Sequence, residues 1–138
     1  MYENKFLMKF IEVIIITLNK KYFYGNCFTG ILTENDLLLL SDLLGACESF
    51  MCTLTNENLP LDEIRQATNY FILESNEEFS AAILVKSEEQ DKIEILRQKL
   101  RLLLFEINIS CEKYKNLALV NLEEVKPIIK VLITKYFA

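Results

Sequence analysis

The segment FIEVIIITL, from Phe10 to Leu18, decides the fold. Alternate side chains of an extended chain point to opposite faces, and here both faces are apolar. One face carries Ile11, Val13 and Ile15, and the other carries Phe10, Ile14, Ile16 and Leu18. A strand that is apolar on both sides is covered on both sides in a packed domain. The segment therefore predicts a central strand between two layers of helices.

Four further strands are expected around this one. Asn19-Lys20 predicts a tight turn into an aromatic-rich antiparallel partner. Phe79 to Lys86 is also apolar on both faces, so we place it beside the first strand at the centre of the sheet. The remaining predicted strands are Lys21 to Phe28, Leu61 to Thr68, which has the weakest pattern, and Tyr70 to Glu74.

The first helix is expected from Thr33 to about Leu54. Thr33 and Asp36 have the spacing of a capping box, in which each side chain accepts a hydrogen bond from the other residue's backbone. The predicted buried stripe is Leu40, Leu43, Leu44, Cys47, Phe50, Met51 and Leu54. The predicted opposite side is Ser41, Asp42, Gly45, Glu48 and Ser49.

Two more helices follow the last strand. Ser87 is the expected cap of a helix from about Glu88 to Lys115. Its predicted buried stripe is Ile93, Leu96, Leu100, Leu103, Leu104, Ile107, Cys111 and Tyr114. Asn121 is the expected cap of the final helix, where Pro127 implies either a kink or a start near the proline. The apolar side predicted for that helix is Ile128, Ile129, Leu132, Ile133, Tyr136 and Phe137.

The predicted order is therefore β-β-α-β-β-β-α-α, in one domain over residues 1–138. The fold class is α/β (α+β), a three-layer α/β/α sandwich with a five-stranded, mainly antiparallel sheet. With 138 residues, 51% of them apolar, and only three Gly and two Pro, the chain has ample material for one core.

Charge and composition argue against several classes of function. The formal net charge is −5, which disfavours a surface that neutralises nucleic-acid phosphates. The chain has no His, the commonest general base and metal ligand. Its three Gly form neither a P-loop nor a dinucleotide-binding pattern. We expect no enzyme activity and no cofactor.

The cysteines and carboxylates form no recognisable metal motif. Cys27, Cys47, Cys52 and Cys111 contain no C-x-x-C pair, and we expect free thiols. Acidic residues occur at Glu34 to Asp36, at Asp42, at Glu77-Glu78 and at Glu88-Glu89, where solvated turns and helix starts explain them better than a cation site.

No export signal or membrane span is expected from the apolar runs. Phe10 to Leu18 contains Glu12 and lacks a small-residue cleavage site. The uncharged runs Val13 to Leu18 and Leu37 to Leu40 are much shorter than the roughly 20 residues that cross a bilayer. We expect a soluble, cytoplasmic protein.

Small side chains recur on one ridge of the first helix, at Ser41, Gly45 and Ser49, with Leu38 beside them. Such a ridge lets another helix approach closely, and it is also compatible with a plain solvated face. Gly45 costs roughly 1 kcal/mol relative to Ala in a helix interior.

Several segments together resemble the longin and Roadblock group of small α/β domains, especially archaeal versions. They are Phe10 to Leu18, Asp36 to Phe50, the strand pair Tyr70 to Lys86, and Gln90 to Phe105. Starting on a hairpin is similar to longin, because Roadblock has an extra helix before it. The resemblance implies a five-stranded sheet with the first helix on one face and the later helices on the other.

The resemblance also implies a non-catalytic platform that dimerises and binds or regulates small Ras-like GTPases, in vesicle trafficking or membrane-associated signalling. The implied partners are a second copy or a related chain and a GTPase, with membrane recruitment through partners. Family dimers commonly form through the first helix and the strand after it. The corresponding residues here are Leu38, Ser41, Asp42, Gly45, Ser49, Ile64 and Gln66. Two alternatives are a longin subunit of a vesicle-tethering or adaptor complex and a small-ligand sensor.

Overall fold

A computed structural model describes residues 7–66, 69–86, 90–114 and 122–137. Several predicted features lie outside these described residues. They are the caps Ser87 and Asn121, the acidic pair Glu88-Glu89, Thr68 at the end of the weakest predicted strand, and Lys115 at the end of the long helix.

The described residues form five strands, three α-helices and two short 3-10 helices. The strands are β1 (Ile11–Leu18), β2 (Lys21–Cys27), β3 (Glu63–Gln66), β4 (Asn69–Ser75) and β5 (Phe79–Lys86). The α-helices are α1 (Glu34–Thr55), α2 (Gln90–Ser110) and α3 (Leu122–Phe137). The 3-10 helices are Met8–Phe10 and Glu112–Tyr114. The predicted order of strands and α-helices is confirmed.

The strands form one antiparallel sheet in the order β2-β1-β5-β4-β3. β5 therefore lies beside β1, as predicted from their doubly apolar patterns. Asn19 and Lys20 connect β1 to β2 with φ angles of 51° and 67°. Positive φ at both central residues gives the turn a twist that matches the two strands, so the hairpin forms over only two residues.

Helices cover both faces of this sheet. α2 and α3 lie on one face, where they bury Ile14, Ile16, Ile72 and Ile83 completely. α1 lies on the other face and covers Val13 and Ile15. All the residues predicted for the buried stripe of α2 are at most 3% exposed. The three-layer α/β/α sandwich is the fold that the sequence predicted.

α3 corrects one prediction about its start. The helix begins at Leu122 and continues through Pro127, so the alternative of a start near the proline is wrong. Val125, before the proline, and Ile129, after it, are both fully buried. Burying Val125 contributes roughly 1.5–3 kcal/mol, which is comparable with the cost of about 3 kcal/mol for an interior proline.

The predicted buried stripe of α1 is correct for Leu44 and for the half-buried Leu40, and wrong for its other members. The side chains that α1 buries are Leu37, Ser41 and Leu44, and the prediction of Ser41 on the opposite side is therefore wrong. The predicted stripe is mostly outside: Leu43, Cys47, Phe50, Met51 and Leu54 are exposed. α1 is apolar around most of its circumference, so apolar periodicity alone does not single out the face that packs.

Candidate interaction surface

A row of apolar side chains faces away from the sheet along α1. We call these residues the outer stripe: Leu39, Leu43, Cys47, Phe50, Met51 and Leu54. Leu39, Leu43, Phe50 and Leu54 are each between 63% and 67% exposed. Single exposed apolar residues are ordinary, whereas a continuous row marks an interaction surface. At 1.5 Å per residue, the row extends for about 22 Å along the helix.

Polar contacts attach α1 to neighbouring segments at its start and at Glu48. At its start, the Thr33 hydroxyl accepts a hydrogen bond from the Asp36 backbone N–H at 3.2 Å, and the Asp36 carboxylate accepts one from Thr33 N–H at 2.9 Å. The Tyr22 hydroxyl on β2 donates to the Glu34 carboxylate at 3.1 Å. Further along, the Glu48 carboxylate accepts a hydrogen bond from Leu61 N–H at 3.0 Å.

The pKa shifts at these contacts indicate that the start of α1 carries negative charge and is held by hydrogen bonds. Burial, together with the neighbouring Glu34 carboxylate, raises the pKa of the Tyr22 hydroxyl, which therefore stays a hydrogen-bond donor. The two hydrogen bonds with Thr33 hold the pKa of the Asp36 carboxyl below its usual value. The ionised carboxylate also interacts favourably with the helix dipole.

α1 covers only part of its face of the sheet. Five strands spaced about 4.8 Å apart are roughly twice as wide as one helix, whose diameter is about 10 Å. A shallow groove of about 440 Å³ remains beside α1, and we call it the sheet groove. It is lined by Glu12, Ile64, Gln66, Asn69, Phe71 and Leu84. Leu40 of α1 packs against clusters that include Leu84, Ile64 and Phe71, so the groove adjoins the helix.

β3 forms the sheet edge next to this groove. Among the described residues it pairs with β4 alone, which leaves backbone groups on its other side available to a further strand. Arg97 of α2 holds the start of β3 by donating to Asp62 O at 3.0 Å and to the Glu63 carboxylate at 3.2 Å. It also pairs with Glu74 of β4 at 2.9 Å.

The structure divides the predicted interface residues among three places. Ser41 is 7% exposed and faces the sheet. Ile64 and Gln66 line the sheet groove on β3. The exposed members on α1 are Leu38, Asp42, Gly45 and Ser49. They lie on the polar flank of the helix, whereas Ile64 and Gln66 lie on β3.

The outer stripe is not among the interface residues predicted from the sequence, although its signal is present there. Leu39, Leu43, Phe50 and Leu54 recur with helical spacing and form a second apolar row beside Leu37, Leu40 and Leu44. The row with Leu37, Leu40 and Leu44 packs on the sheet, and the other row stays exposed.

α1 is strongly acidic outside the outer stripe. It contains Glu34, Asp36, Asp42 and Glu48 and no Lys or Arg. Helices that bind anionic membrane surfaces are instead rich in Lys and Arg on their polar face. The charge pattern therefore favours a protein as the occupant of this surface.

The cleft between α1 and the sheet is small. Ser41, Gly45 and Glu48 line it from the helix, Ala82 from β5, and Lys20 from the β1–β2 turn. Its volume of about 60 Å³ has room for a few water molecules and not for a metabolite. Apart from neighbouring residues of its own helix backbone, no atom lies within 4 Å of the position that a Cβ would take at Gly45.

The described residues contain no group of three or more Cys, Asp or Glu side chains arranged to hold a metal ion. Cys27, Cys47, Cys52 and Cys111 are free thiols. Burial raises the pKa of the Cys27 thiol, but hydrogen bonds from the Thr29 hydroxyl and nearby backbone N–H groups lower it more, to about 7.

By length and composition, α1 is the one helix in the described part of the chain that is apolar enough to cross a membrane. In the structure it packs one side on a sheet and exposes the outer stripe on the other. No protein-family model matches the chain, and no curated protein matches it.

Proposed function

We propose that this protein is a non-catalytic interaction module that self-associates through α1 and the β3 edge. In this proposal it binds or regulates small Ras-like GTPases. The observation that carries the proposal is the outer stripe, an uncharged apolar row that the chain leaves exposed. Burying apolar surface contributes about 25 cal/mol per Å², so several exposed Leu and Phe side chains supply a strong drive to associate.

The geometry favours a second copy as the occupant. Two copies related by a two-fold axis present the same patch to each other, which suits a surface that is apolar and uncharged along its whole length. Antiparallel pairing of β3 with its copy extends the sheet and satisfies the edge. This pairing also brings α1 of the second copy toward the sheet groove of the first.

Analytical ultracentrifugation over a concentration series tests self-association. Wild type is expected to dimerise, and Phe50→Asp, which places a charge in the outer stripe, is expected to remain monomeric. Ile31→Asp is the matched control, because Ile31 is 78% exposed in the loop before α1 and lies outside the stripe. A monomeric wild type, or equal effects of the two substitutions, contradicts the proposal.

The GTPase partner rests on the resemblance to longin and Roadblock domains, and it needs its own experiment. A composite surface on the dimer would hold the GTPase's switch segments and so influence nucleotide turnover. Ras-like GTPases of the same cell, loaded with GDP or a GTP analogue, are passed over the immobilised protein. Capture that depends on the nucleotide supports the proposal, and capture of neither form contradicts it.

A second candidate is a subunit of a heteromeric tethering or adaptor complex. The four carboxylates of α1, with no basic residue among them, favour it, because a related chain with basic residues would complement them better than a copy does. A wild type that is monomeric alone and forms a stable complex only with such a chain supports this candidate.

A further inference from the structure

The cleft between α1 and the sheet opens into a wider polar pocket at one end of the sheet. The β1–β2 turn, the β4–β5 turn and the loop after α1 enclose this second space of about 540 Å³, which we call the turn pocket. Lys20, Glu48 and Ser80 line both spaces and therefore mark the mouth where they meet. The cleft alone is too small for a metabolite, but a ligand at the mouth has both spaces available.

The inner part of the cleft is apolar. Leu44 lines it from α1, and Ile15, Leu73 and Ala82 line it from the sheet. A cavity of roughly 150 Å³ takes a benzene ring. The cleft has a volume of about 60 Å³, so it fits a small aliphatic side chain and excludes an aromatic ring.

Two opposite charges flank the mouth without pairing with each other. The Glu48 Oε2 atom accepts the hydrogen bond from Leu61 N–H, whereas no described residue donates to Glu48 Oε1. The Lys20 ammonium forms no ion pair or hydrogen bond with the part of the chain that the structure describes. The mouth therefore presents one cation and one anion that are both available to a ligand.

The backbone around Lys20 is held in a fixed and strained conformation. Lys20 has a φ angle of 67°, in the left-handed region that Gly and Asn adopt more readily than Lys. Asn19 N–H donates to Glu78 O at 2.8 Å, which attaches this turn to the β4–β5 turn. The Asn76 side-chain oxygen accepts hydrogen bonds from the Glu78 and Phe79 N–H groups at 3.2 and 2.8 Å. Residues held in such conformations concentrate at ligand sites, which favours a role for the Lys20 side chain.

We propose that this mouth binds the zwitterion of a free α-amino acid with a small aliphatic side chain. The carboxylate of the ligand accepts from the Lys20 ammonium, its ammonium donates to Glu48 Oε1, and its side chain enters the cleft. An α-amino acid carries both charges beside its side chain, which matches two opposite charges around an apolar opening. A ligand with only one of the charges leaves the other protein group unpaired and is rejected.

A titration followed by backbone amide NMR tests the proposal with L-valine. The expected dissociation constant is below about 1 mM. N-acetyl-L-valine lacks the ammonium and L-valinamide lacks the carboxylate, so each is expected to bind at least about tenfold more weakly. L-phenylalanine, whose ring exceeds the cleft, is expected to bind as weakly. The signals that shift should belong to residues 15–20, 41–48 and 73–82.

Two substitutions remove one charge each from the mouth. Lys20→Gln and Glu48→Gln are each expected to weaken the binding of L-valine about tenfold. The amide oxygen that Glu48→Gln introduces still accepts from Leu61 N–H, so the contact with the segment before β3 is kept. Lys21→Gln and Glu57→Gln are matched controls, because both residues are exposed and line neither space. They are expected to leave binding unchanged.

A third substitution fills the cleft from its α1 wall. Gly45→Leu is expected to abolish the binding of L-valine, whereas Ala46→Leu, at the next exposed position, is expected to have no effect. Circular dichroism checks that each variant is folded, and Gly45→Val or Lys20→Gly replaces a variant that unfolds. Equal binding of the four ligands, no binding of L-valine up to about 10 mM, or equal losses in variants and controls overturns the proposal.

The amino-acid site does not rest on self-association, because it lies on the side of α1 that faces the sheet. The titration is therefore repeated on Phe50→Asp, in which the outer stripe is interrupted and the cleft is unchanged. Binding of L-valine that persists in this variant supports a separate site. Loss of binding there contradicts the placement of the site in the cleft, whatever the oligomeric state of wild type proves to be.

Discussion

The Glu48 carboxylate of α1 accepts a hydrogen bond at 3.0 Å from the backbone N–H of Leu61, in the segment that leads to β3. This contact joins the helix to the edge strand of the proposed interface. Glu48 lies on the side of α1 that faces the sheet, and the outer stripe lies on the side that faces outward. The orientation of the helix thus depends on a polar contact between residues that are 13 positions apart.

Arg97→Met is expected to destabilise the fold by about 2 kcal/mol, because hydrogen bonds to charged groups contribute about 1.5–3 kcal/mol. The Arg97 side chain is only 13% exposed and joins Glu74, Glu63 and Asp62 O. Arg101→Met is the matched control. Arg101 pairs with the same Glu74 but is 58% exposed, so we expect a loss below about 1 kcal/mol. Urea unfolding measures both, and equal losses would contradict the clamping role of Arg97.

Gly45→Ala is expected to stabilise the protein by about 1 kcal/mol in the same urea experiment. Ala has the higher helix propensity, and the added methyl group meets nothing within 4 Å. Ala46→Gly, at the next exposed position, is expected to lower stability by a similar amount. A destabilised Gly45→Ala would mean that the space beside Gly45 is occupied in solution.

β1, β5 and α2 follow from the sequence, whereas the orientation of α1 does not. The predicted strand Leu61 to Thr68, which has the weakest pattern, is observed only as Glu63–Gln66. In β1, β5 and α2, only one arrangement buries the apolar residues, so the pattern determines the structure. In α1, Leu37 and Leu44 on one side compete with Leu43 and Phe50 on the other. The energy of apolar burial is similar for the two sides, and contacts distant in sequence decide between them. The interface residues predicted on α1 depend on the same choice between its two sides.

Lowering the pH is expected to remove the stabilisation that the capping box gives at the start of α1. Thr33 lowers the pKa of the Asp36 carboxyl in the folded state, so the ionised form stabilises the fold above the ordinary Asp pKa of about 3.9. Wild type should therefore be more stable than Asp36→Asn at neutral pH. The difference should disappear as the pH falls through the lowered pKa of the folded state.

Urea unfolding at a series of pH values measures this difference. Asp42→Asn, an exposed substitution within α1, controls at neutral pH for the loss of one negative charge from the helix. A gap between wild type and Asp36→Asn that stays constant down to the lowest pH would contradict the contribution of the Asp36 charge.

Cys47 offers a direct measurement of how two copies meet. It is exposed near the middle of the outer stripe, midway between Leu39 and Leu54. In an antiparallel pair of α1 helices related by a two-fold axis, a residue at the centre of the contact faces its own copy. A short bismaleimide is therefore expected to join two Cys47 thiols in a covalent dimer. Cys47→Ser should prevent this, whereas Cys52→Ser should not. Cross-linking that persists in Cys47→Ser would place the contact elsewhere and contradict the antiparallel arrangement.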